Sequence, residues 1–288
     1  MLGILAALST GLAQPEPLRA ARGLRVTTHE VPWPLRRRVR VVQLSDLHVG
    51  RNTDPALLES AVARVRALEP DLVVMTGDYL NRSLTRAEAL RRLATALPKP
   101  CLATLGNHDY WSGADGVRAA LRRAGVQVLV NQSRRLRGPG WELTVVGVDD
   151  GYTGHQAIRA AFAGIADPRD TLVLTHHPNT ADAIARVGGR LILSGHTHGG
   201  HFAVPLLTVA LARASGLRYL SGWYDVGRRW RRPEARGTRL YVNVGLGAAG
   251  VRARLGERAQ PEVAVFDLVP EPPPTLSAAR RRARLPTP

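Results

Sequence analysis

Short apolar runs alternate with amphipathic stretches from about Arg25 to Val269, and this alternation predicts a regular succession of strands and helices. Most of the apolar runs are about four to eight residues long, the usual length of a buried strand. In chain order, the segments that contain the predicted strands are LRRRVRVVQLSD, DLVVMTG, CLATLG, VQVLV, WELTVVGVD, TLVLTH, RLILSG, RLYVNVG and EVAVFDLV.

Capping residues mark the predicted helices between these strands. Asp54 and Pro55 predict the N-cap and first residue of a helix, because apolar residues recur every three or four positions after them. Thr85 and Glu88 have the spacing of a capping box, which predicts the start of a second helix.

Three further helices are expected along the chain. Gly125 predicts the C-terminal end of one, another is expected around residues 158–163, and Asn179 predicts the N-cap of the helix TADAIARV. Strands that alternate with helices indicate βαβ units and a largely parallel, helix-covered sheet. The last strands follow one another without helices, which predicts a second sheet or a mixed region.

Composition and charge bound the class of protein. The 288 residues are 44% hydrophobic, enough for one sizeable α/β domain or two small ones. The single cysteine, Cys101, excludes a disulfide within the chain, and its place in an apolar run predicts a buried thiol. The formal net charge of +17 favours contact with anionic partners such as nucleic acid, acidic lipid or phosphorylated substrates.

Three regions are predicted along the chain. Residues 1–22 begin with an apolar segment that is too short to span a bilayer, and three interpretations stay open: a weak signal or anchor, the remnant of a longer membrane helix, or a disordered start. Residues 23–270 form the predicted folded domain. Residues 271–288 are rich in proline and arginine and are predicted to be disordered.

Side chains that bind metal ions follow five of the predicted strands. They are Asp46, His48, Asp78, Asn107, His176, His196 and His198, with His108 and Asp109 directly after Asn107. In an open α/β sheet, the carboxyl ends of the strands face one crevice, so these side chains are expected to meet there. One ion does not need so many ligands, whereas two ions that share a carboxylate do. Nitrogen and oxygen ligands without thiolate favour manganese, iron or zinc.

The spacing suggests how these side chains converge. In extended backbone, residues i and i+2 point to the same side. Asp46 with His48, and His196 with His198, are therefore each expected to act as a clamp, that is, as a pair of side chains that bind from one side. The glycines that precede Asp78, Asn107 and His196 are expected to let the backbone turn sharply off each strand.

The ordered motifs SDLH, GD, GNHD, THHP and GHTHGG resemble the signature of the calcineurin-like metallophosphoesterase superfamily, and the resemblance covers about residues 40–267. It implies a two-sheet αββα sandwich with a dinuclear site at the carboxyl ends of the strands. By resemblance, one metal ion is held by Asp46, His48, Asp78 and His198, and a second by Asp78, Asn107, His176 and His196, with Asp78 bridging.

The resemblance also implies a reaction. A metal-bound hydroxide attacks a phosphoester or pyrophosphate, and His108 protonates the leaving oxygen or steadies the phosphoryl group. Asp109 orients the other nitrogen of His108, which agrees with the general effect of a carboxylate partner on an imidazole.

Longer matches narrow the resemblance. VVQLSDLHVG, GNHDYW, GHTHGG and a final GLG…PEVAVFDL are similar to a bacterial subgroup whose members often carry an N-terminal membrane helix. Some members are described as phosphodiesterases, others as enzymes that split the pyrophosphate of UDP-2,3-diacylglucosamine in lipid A synthesis. This implies a phosphoester substrate, including a lipid-linked one, and association with the bacterial inner membrane, peripheral or N-terminally anchored. A cytoplasmic location is the alternative.

Other functions stay open at this point. A nuclease or nucleotide phosphodiesterase would use the same site, and a non-catalytic scaffold would keep its metal ions without turnover. A metal-dependent amidohydrolase is disfavoured, because it would have H-x-H after the first strand, where this chain has D-x-H. The segment DDGYTGHQ, residues 149–156, is predicted to be a loop near the mouth of the pocket.

The segment from Phe202 to Pro233 bears on partners. Its long apolar run stands beside Trp223, Tyr224, Trp230 and several arginines, a combination typical of an anionic membrane surface, with core packing as the alternative. Aromatic residues make up only 5% of the chain and show no regular stacking pattern, which argues against nucleic acid as a partner. No obligate protein partner is inferred.

Overall fold

The structure is a computed structural model that describes residues 23–200, 207–226, 237–250 and 254–271. The predictions for residues 1–22 and 272–288 lie outside the described residues. Within the described residues the strands are β1 Arg25–Trp33, β2 Val39–Leu44, β3 Leu72–Thr76, β4 Cys101–Thr104, β5 Gln127–Val128, β6 Gln132–Gly138, β7 Trp141–Gly147, β8 Thr171–Leu174, β9 Leu191–Ser194, β10 Gly222–Asp225, β11 Arg239–Val242 and β12 Glu262–Pro270. The helices there are α1 Pro55–Ala67, α2 Ala87–Thr95, α3 Asn107–Ser112, α4 Ala114–Arg123, α5 Ile158–Ala161, α6 Ala181–Ile184 and α7 Leu207–Ala214.

The strands form two sheets of six. One has the order β1-β12-β2-β3-β4-β5 and the other the order β10-β11-β9-β8-β7-β6. Strands β2 to β5 are parallel, as are β7, β8, β9 and β11. The carboxyl ends of both parallel sets therefore lie at one edge of each sheet. The expected two-sheet α/β fold is confirmed.

Three apolar clusters define four layers. The cluster between the sheets includes Val41 and Val74 of the first sheet and Leu172 and Leu193 of the second. A second cluster packs α1, α2 and α4 on the outer face of the first sheet, and a third packs α5 and α6 on the outer face of the second. The central strands are buried on both faces, and for this reason they are continuous apolar runs.

Three strands escape the apolar pattern. β1, β6 and β10 each lie at the edge of a sheet and carry mostly half-buried or exposed residues. The β6 sequence QSRRLRG has one buried residue, Leu136. An edge strand is hydrogen-bonded on one side only and tolerates charged residues, so these three strands can lack an apolar signature.

Of the three predicted helix starts, one is confirmed. The other two helices begin near the predicted positions, but the predicted residues do not cap them. Asp54 caps α1 as predicted, because its carboxylate accepts a hydrogen bond from the amide of Ala56 at 2.9 Å. Thr85 is not an N-cap: Ser83 caps a single 3₁₀ turn over residues 84–86, and α2 begins after it. Asn179 does not cap either, because its side chain bonds instead to the backbone of residues 216 and 218.

Candidate metal centre

The predicted metal-binding side chains meet where the two sets of parallel strands end. Those of the first sheet come from the loops after β2 and β3 and from the start of α3, which follows β4. Those of the second sheet come from the loops after β8 and β9. The structure brings together the whole predicted set: Asp46, His48, Asp78, Asn107, His176, His196 and His198.

One group consists of Asp46, His48 and His198, all of which are buried. The Nε2 atoms of the two imidazoles are 3.2 Å apart. Oδ1 of Asp46 is 3.3 Å from Nε2 of His198 and 3.9 Å from Nε2 of His48. Three ligand atoms thus surround a space of the size of a metal ion.

A second group lies beside the first and consists of Asp78, Asn107, His176 and His196. Nε2 of His176 is 3.2 Å from Oδ2 of Asp78 and 3.1 Å from Oδ1 of Asn107. Nδ1 of His196 is 3.0 Å from the same amide oxygen and 3.2 Å from Nε2 of His176. This group also converges on one point.

Asp78 connects the two groups. Its Oδ2 atom is 3.2 Å from Nε2 of His176 and 3.6 Å from Nε2 of His48, and its Oδ1 atom accepts a hydrogen bond of 2.9 Å from the amide of His108. A single buried carboxylate therefore contacts the ligand atoms of both groups.

The local backbone differs from the extended geometry expected from the spacing. Asp46, His48, Asp78, His196 and His198 all have φ between 42° and 77°, in the left-handed region. The side chains therefore converge through sharp turns at the residues themselves, and the clamp interpretation is correct only for Asp46 with His48. His196 and His198 point to different groups.

The glycines before three of these residues act in two ways. Gly77 has φ +91°, so it does provide the turn expected before Asp78. Gly106 and Gly195 do not have positive φ, and they are needed for space instead. A Cβ atom on Gly106 would lie 2.3 Å from Oδ1 of Asp78, and one on Gly195 would lie 2.3 Å from Oδ2 of Asp46.

His108 lies beside the two groups, but its partner is not the expected one. Nδ1 of His108 is 2.5 Å from the backbone oxygen of Asn81. The prediction that Asp109 orients His108 is wrong. Asp109 is buried and accepts hydrogen bonds from the amides of Asp78, Tyr79 and Gly106 at 2.8–2.9 Å. Adjacent helical residues point about 100° apart, which turns Asp109 toward the sheet.

The electrostatics of the site favour a bound cation. Burial lowers the pKa of His48 to about 3 and that of His196 well below its ordinary value, so both imidazoles are neutral with a lone pair available. Burial alone would lower the pKa of His176, yet the Asp78 carboxylate raises it well above its ordinary value. The second group thus attracts positive charge despite its burial.

The hydrogen bonds of His176 support the same conclusion. Nδ1 of His176 donates to the backbone oxygen of Thr76 at 2.7 Å, which directs Nε2 toward the centre of the second group. A cation there would meet a nitrogen and oxygen set without sulfur, which suits manganese, iron or zinc.

Sequence reasoning missed two contacts of the site. The buried guanidinium of Arg254 donates hydrogen bonds to the backbone oxygens of Val244 and Gly245. One of its nitrogens lies 2.9 Å from Nδ1 of His198, so the guanidinium packs against the imidazole. The other contact is the Asn81 carbonyl described above. Neither has a sequence signal, because one is a backbone atom and the other is one arginine in a chain with 40 basic residues.

Comparison with known proteins identifies the class that this fold and site define. Residues 39–200 match the family model described as calcineurin-like phosphoesterase. The chain belongs to this family, a family of metallophosphoesterases.

Particular relatives are similar over most of the chain. Phosphodiesterase YaeI from Escherichia coli strain K12 is 30% identical over 240 residues, which cover 80% of this chain and 82% of that protein. The UDP-2,3-diacylglucosamine pyrophosphatase LpxG from Chlamydia trachomatis is 26% identical over 338 residues, which cover 94% of this chain and 99% of that protein. A transmembrane protein with metallophosphoesterase domain from Bos taurus is 33% identical over 84% of this chain and 57% of its own length.

The segment predicted to contact a membrane divides into three parts. Trp223 packs against His29 and Tyr241 between the sheets, which agrees with the core alternative for this residue. Leu207 and Leu211 on α7 are 55% and 61% exposed. Residues 202–206 and 227–233, with Trp230, lie outside the described residues. Among the described residues, the helices are too short or too polar for any of them to cross a bilayer.

Proposed function

We propose that this protein is a dinuclear metal-dependent hydrolase that cleaves a phosphodiester or a pyrophosphate. The observation that carries the proposal is the position of Asp78, whose carboxylate lies 3.2 Å and 3.6 Å from imidazole nitrogens of two separate ligand groups. Two ions that share one carboxylate explain why a single pocket contains so many ligands.

The ligands divide as the two groups do. Asp46, His48 and His198 would hold one divalent ion, Asn107, His176 and His196 would hold the other, and Asp78 would contribute to both. The ions are manganese, iron or zinc. When bound, two such ions acidify a water molecule and offset the negative charge of a phosphoryl group.

His108 is the proposed proton donor. Its Nδ1–H donates to the Asn81 carbonyl, so Nε2 is the nitrogen that remains to hold a proton at the leaving oxygen of the substrate. The ring lies 4.8 Å from the His48 ring, measured between centroids, which places it at the border of the first ligand group. Asp109 supports this arrangement through the backbone, as a positioning residue.

The substrate that we propose is lipid-linked, such as UDP-2,3-diacylglucosamine, and the protein acts at an anionic membrane surface. The similarity to LpxG supports the substrate. The net charge of +17 and the exposed Leu207 and Leu211, four residues apart on one face of α7, support the membrane contact.

Leu211→Gln should reduce sedimentation of the protein with phosphatidylglycerol vesicles. Binding of this variant equal to wild type would argue against a role for α7.

Hydrolysis of bis-p-nitrophenyl phosphate in the presence of Mn²⁺ tests the reaction. We expect turnover by the wild type and a loss of about two or more orders of magnitude for Asp78→Asn and His108→Ala, with both variants folded. Leu84→Ala, a change at an exposed residue outside the centre, is the control. A wild type loaded with metal but inactive on all phosphoesters would indicate a scaffold, and activity confined to single-stranded DNA would indicate a nuclease.

A further inference from the structure

Two large aromatic side chains are exposed next to the metal centre. Trp111 is 43% exposed and Tyr152 is 56% exposed. The Trp111 ring lies 4.7 Å from the His108 ring, and the Tyr152 ring lies 5.1 Å from the His196 ring. The two aromatic rings are 6.1 Å apart at 81°, so they form a corner at the entrance to the centre.

The backbone segments that carry both rings are anchored. Trp111 lies on α3, the helix that also carries Asn107 and His108. Tyr152 lies in a loop closed by hydrogen bonds of 2.7 Å and 2.8 Å from Thr153 to the carboxylate of Asp150. An exposed aromatic ring gains little stability for its own chain, whereas a ring that is already in place binds a ligand at low entropic cost.

The same loop is anchored at its far end. The His155 ring stacks on the Tyr110 ring at 3.7 Å, and the His155 amide donates to the Asp150 carbonyl at 2.9 Å. The loop after β7, expected at the pocket mouth from its sequence, is therefore attached to α3 itself.

The neighbours of the aromatic pair indicate what binds there. His108, His196 and His177 contact the two rings, and the Arg82 guanidinium lies 4.9 Å from the Trp111 centroid. An acyl chain would need a continuous apolar surface. Aromatic faces bordered by imidazoles and a guanidinium suit a flat heterocycle with polar edges instead.

We propose that Trp111 and Tyr152 form a stacking site for the nucleobase of a nucleotide-containing substrate. The inference rests on the proposed function for the reacting group, because a phosphoryl group at the metal centre places the base of a nucleoside diphosphate ester within reach of the pair. The Arg82 guanidinium, which lies over the Trp111 ring, is close enough to the pair to meet a polar edge of the base.

The test compares two substrates that differ only in the base. One is an alkyl ester of uridine diphosphate, and the other is its abasic ribose diphosphate counterpart. Trp111→Leu and Tyr152→Leu should raise KM about tenfold for the uridine ester, leave kcat unchanged and leave the abasic ester unaffected. Trp111→Phe retains a stacking face and should behave like wild type. Equal effects on both esters, or no effect on either, would overturn the proposal.

A binding experiment separates this inference from the proposed reaction. UMP should quench the tryptophan fluorescence of the wild type, ribose 5-phosphate should not, and Trp111→Phe should lose the UMP response. If the wild type hydrolyses neither ester but shows this selective quenching, the reaction is wrong and the base site stands. If it hydrolyses both esters equally and UMP causes no selective quenching, the base site is wrong and the reaction stands.

Discussion

Replacing Gly106 with alanine tests how closely the metal centre is packed. Gly106 has φ −117° and ψ 175°, a conformation that alanine adopts without strain. The only change is therefore a methyl group. That group would lie 2.3 Å from Oδ1 of Asp78 and 2.8 Å from Cγ of His176.

The size of the effect follows from these contacts. Carbon and oxygen atoms that are not bonded rarely come closer than 3.4 Å, so the Asp78 carboxylate must move by about 1 Å. Overpacking of this kind costs about 1–3 kcal/mol of stability. A displacement of about 1 Å in a reacting centre can cost on the order of 100-fold in rate. Since Asp78 contacts both ligand groups, we expect weaker metal binding at each of them.

Metal content, hydrolysis of bis-p-nitrophenyl phosphate and thermal unfolding measure these effects. Gly250→Ala is the matched control, because its added Cβ atom would have no neighbour within 4 Å among the residues that the structure describes, and its φ is not positive. We expect the control to keep the metal content and rate of the wild type. Gly106→Ala with the metal content and the rate of the wild type would refute the close packing around Asp78.

Three further predictions concern support for the site and fold. Asp109→Asn should lower the free energy of unfolding by about 2–3 kcal/mol and reduce metal content, because the amide offers only one oxygen to the backbone donors that the carboxylate now satisfies. A wild-type free energy of unfolding in denaturant would contradict this. Hydrogen bonds from Arg40 hold the pKa of Asp267 below its ordinary value of 3.8, so the stabilisation is present above that pH and is lost as the pH falls through the lower, folded-state pKa. By urea unfolding, Asp267→Asn should be less stable than wild type at pH 6, and the difference should shrink as the pH falls below 3.8. A difference that stays constant as the pH is lowered would count against the ion pair. Removal of metal by EDTA should lower the melting temperature but leave the far-ultraviolet circular dichroism unchanged, because binding stabilises a site that is already folded; loss of the secondary structure would show that the ions build the fold.

The sequence predicts the central strands well and misses three of the four edge strands, for a physical reason. β3 and β9 are buried on both faces, so burial alone makes them recognisable as apolar runs. β1 alternates half-buried and exposed residues, and β6 is mostly arginine and polar residues. The position of β12, between β1 and β2, depends on pairing with residues more than 200 positions away, which no local pattern contains.

For the site, likewise, the sequence predicts the features that are local and misses those that depend on residues distant in the chain. Each candidate ligand follows an apolar strand directly, and parallel strands that end at one edge bring such residues together. Contacts to backbone atoms are different. The orientation of His108 depends on the Asn81 carbonyl, and His198 packs against Arg254, 56 residues further along the chain. The sequence near His108 offers Asp109 as the obvious partner, and it is the wrong one.

The left-handed backbone at the candidate ligands requires support from neighbouring loops, and those loops lie at the carboxyl ends of the strands. Residues other than glycine adopt this conformation at a cost, and it persists only where the surroundings impose it. Here the loops impose it on each other. The amide of Asp46 donates to the carbonyl of Gly77 at 3.0 Å, and the amide of His48 donates to the carbonyl of Asp78 at 3.0 Å.

A further bond closes this loop from the other side. The Asp46 carbonyl accepts a hydrogen bond of 2.7 Å from the amide of Gly247, in the segment after β11 of the second sheet. The turn at Asp46 is therefore held by hydrogen bonds to loops of both sheets. Apolar packing between the two sheets thus stabilises the loop conformations that bring the ligand atoms to distances suited to cations. Without that packing, the candidate ligands of the two sheets would not meet.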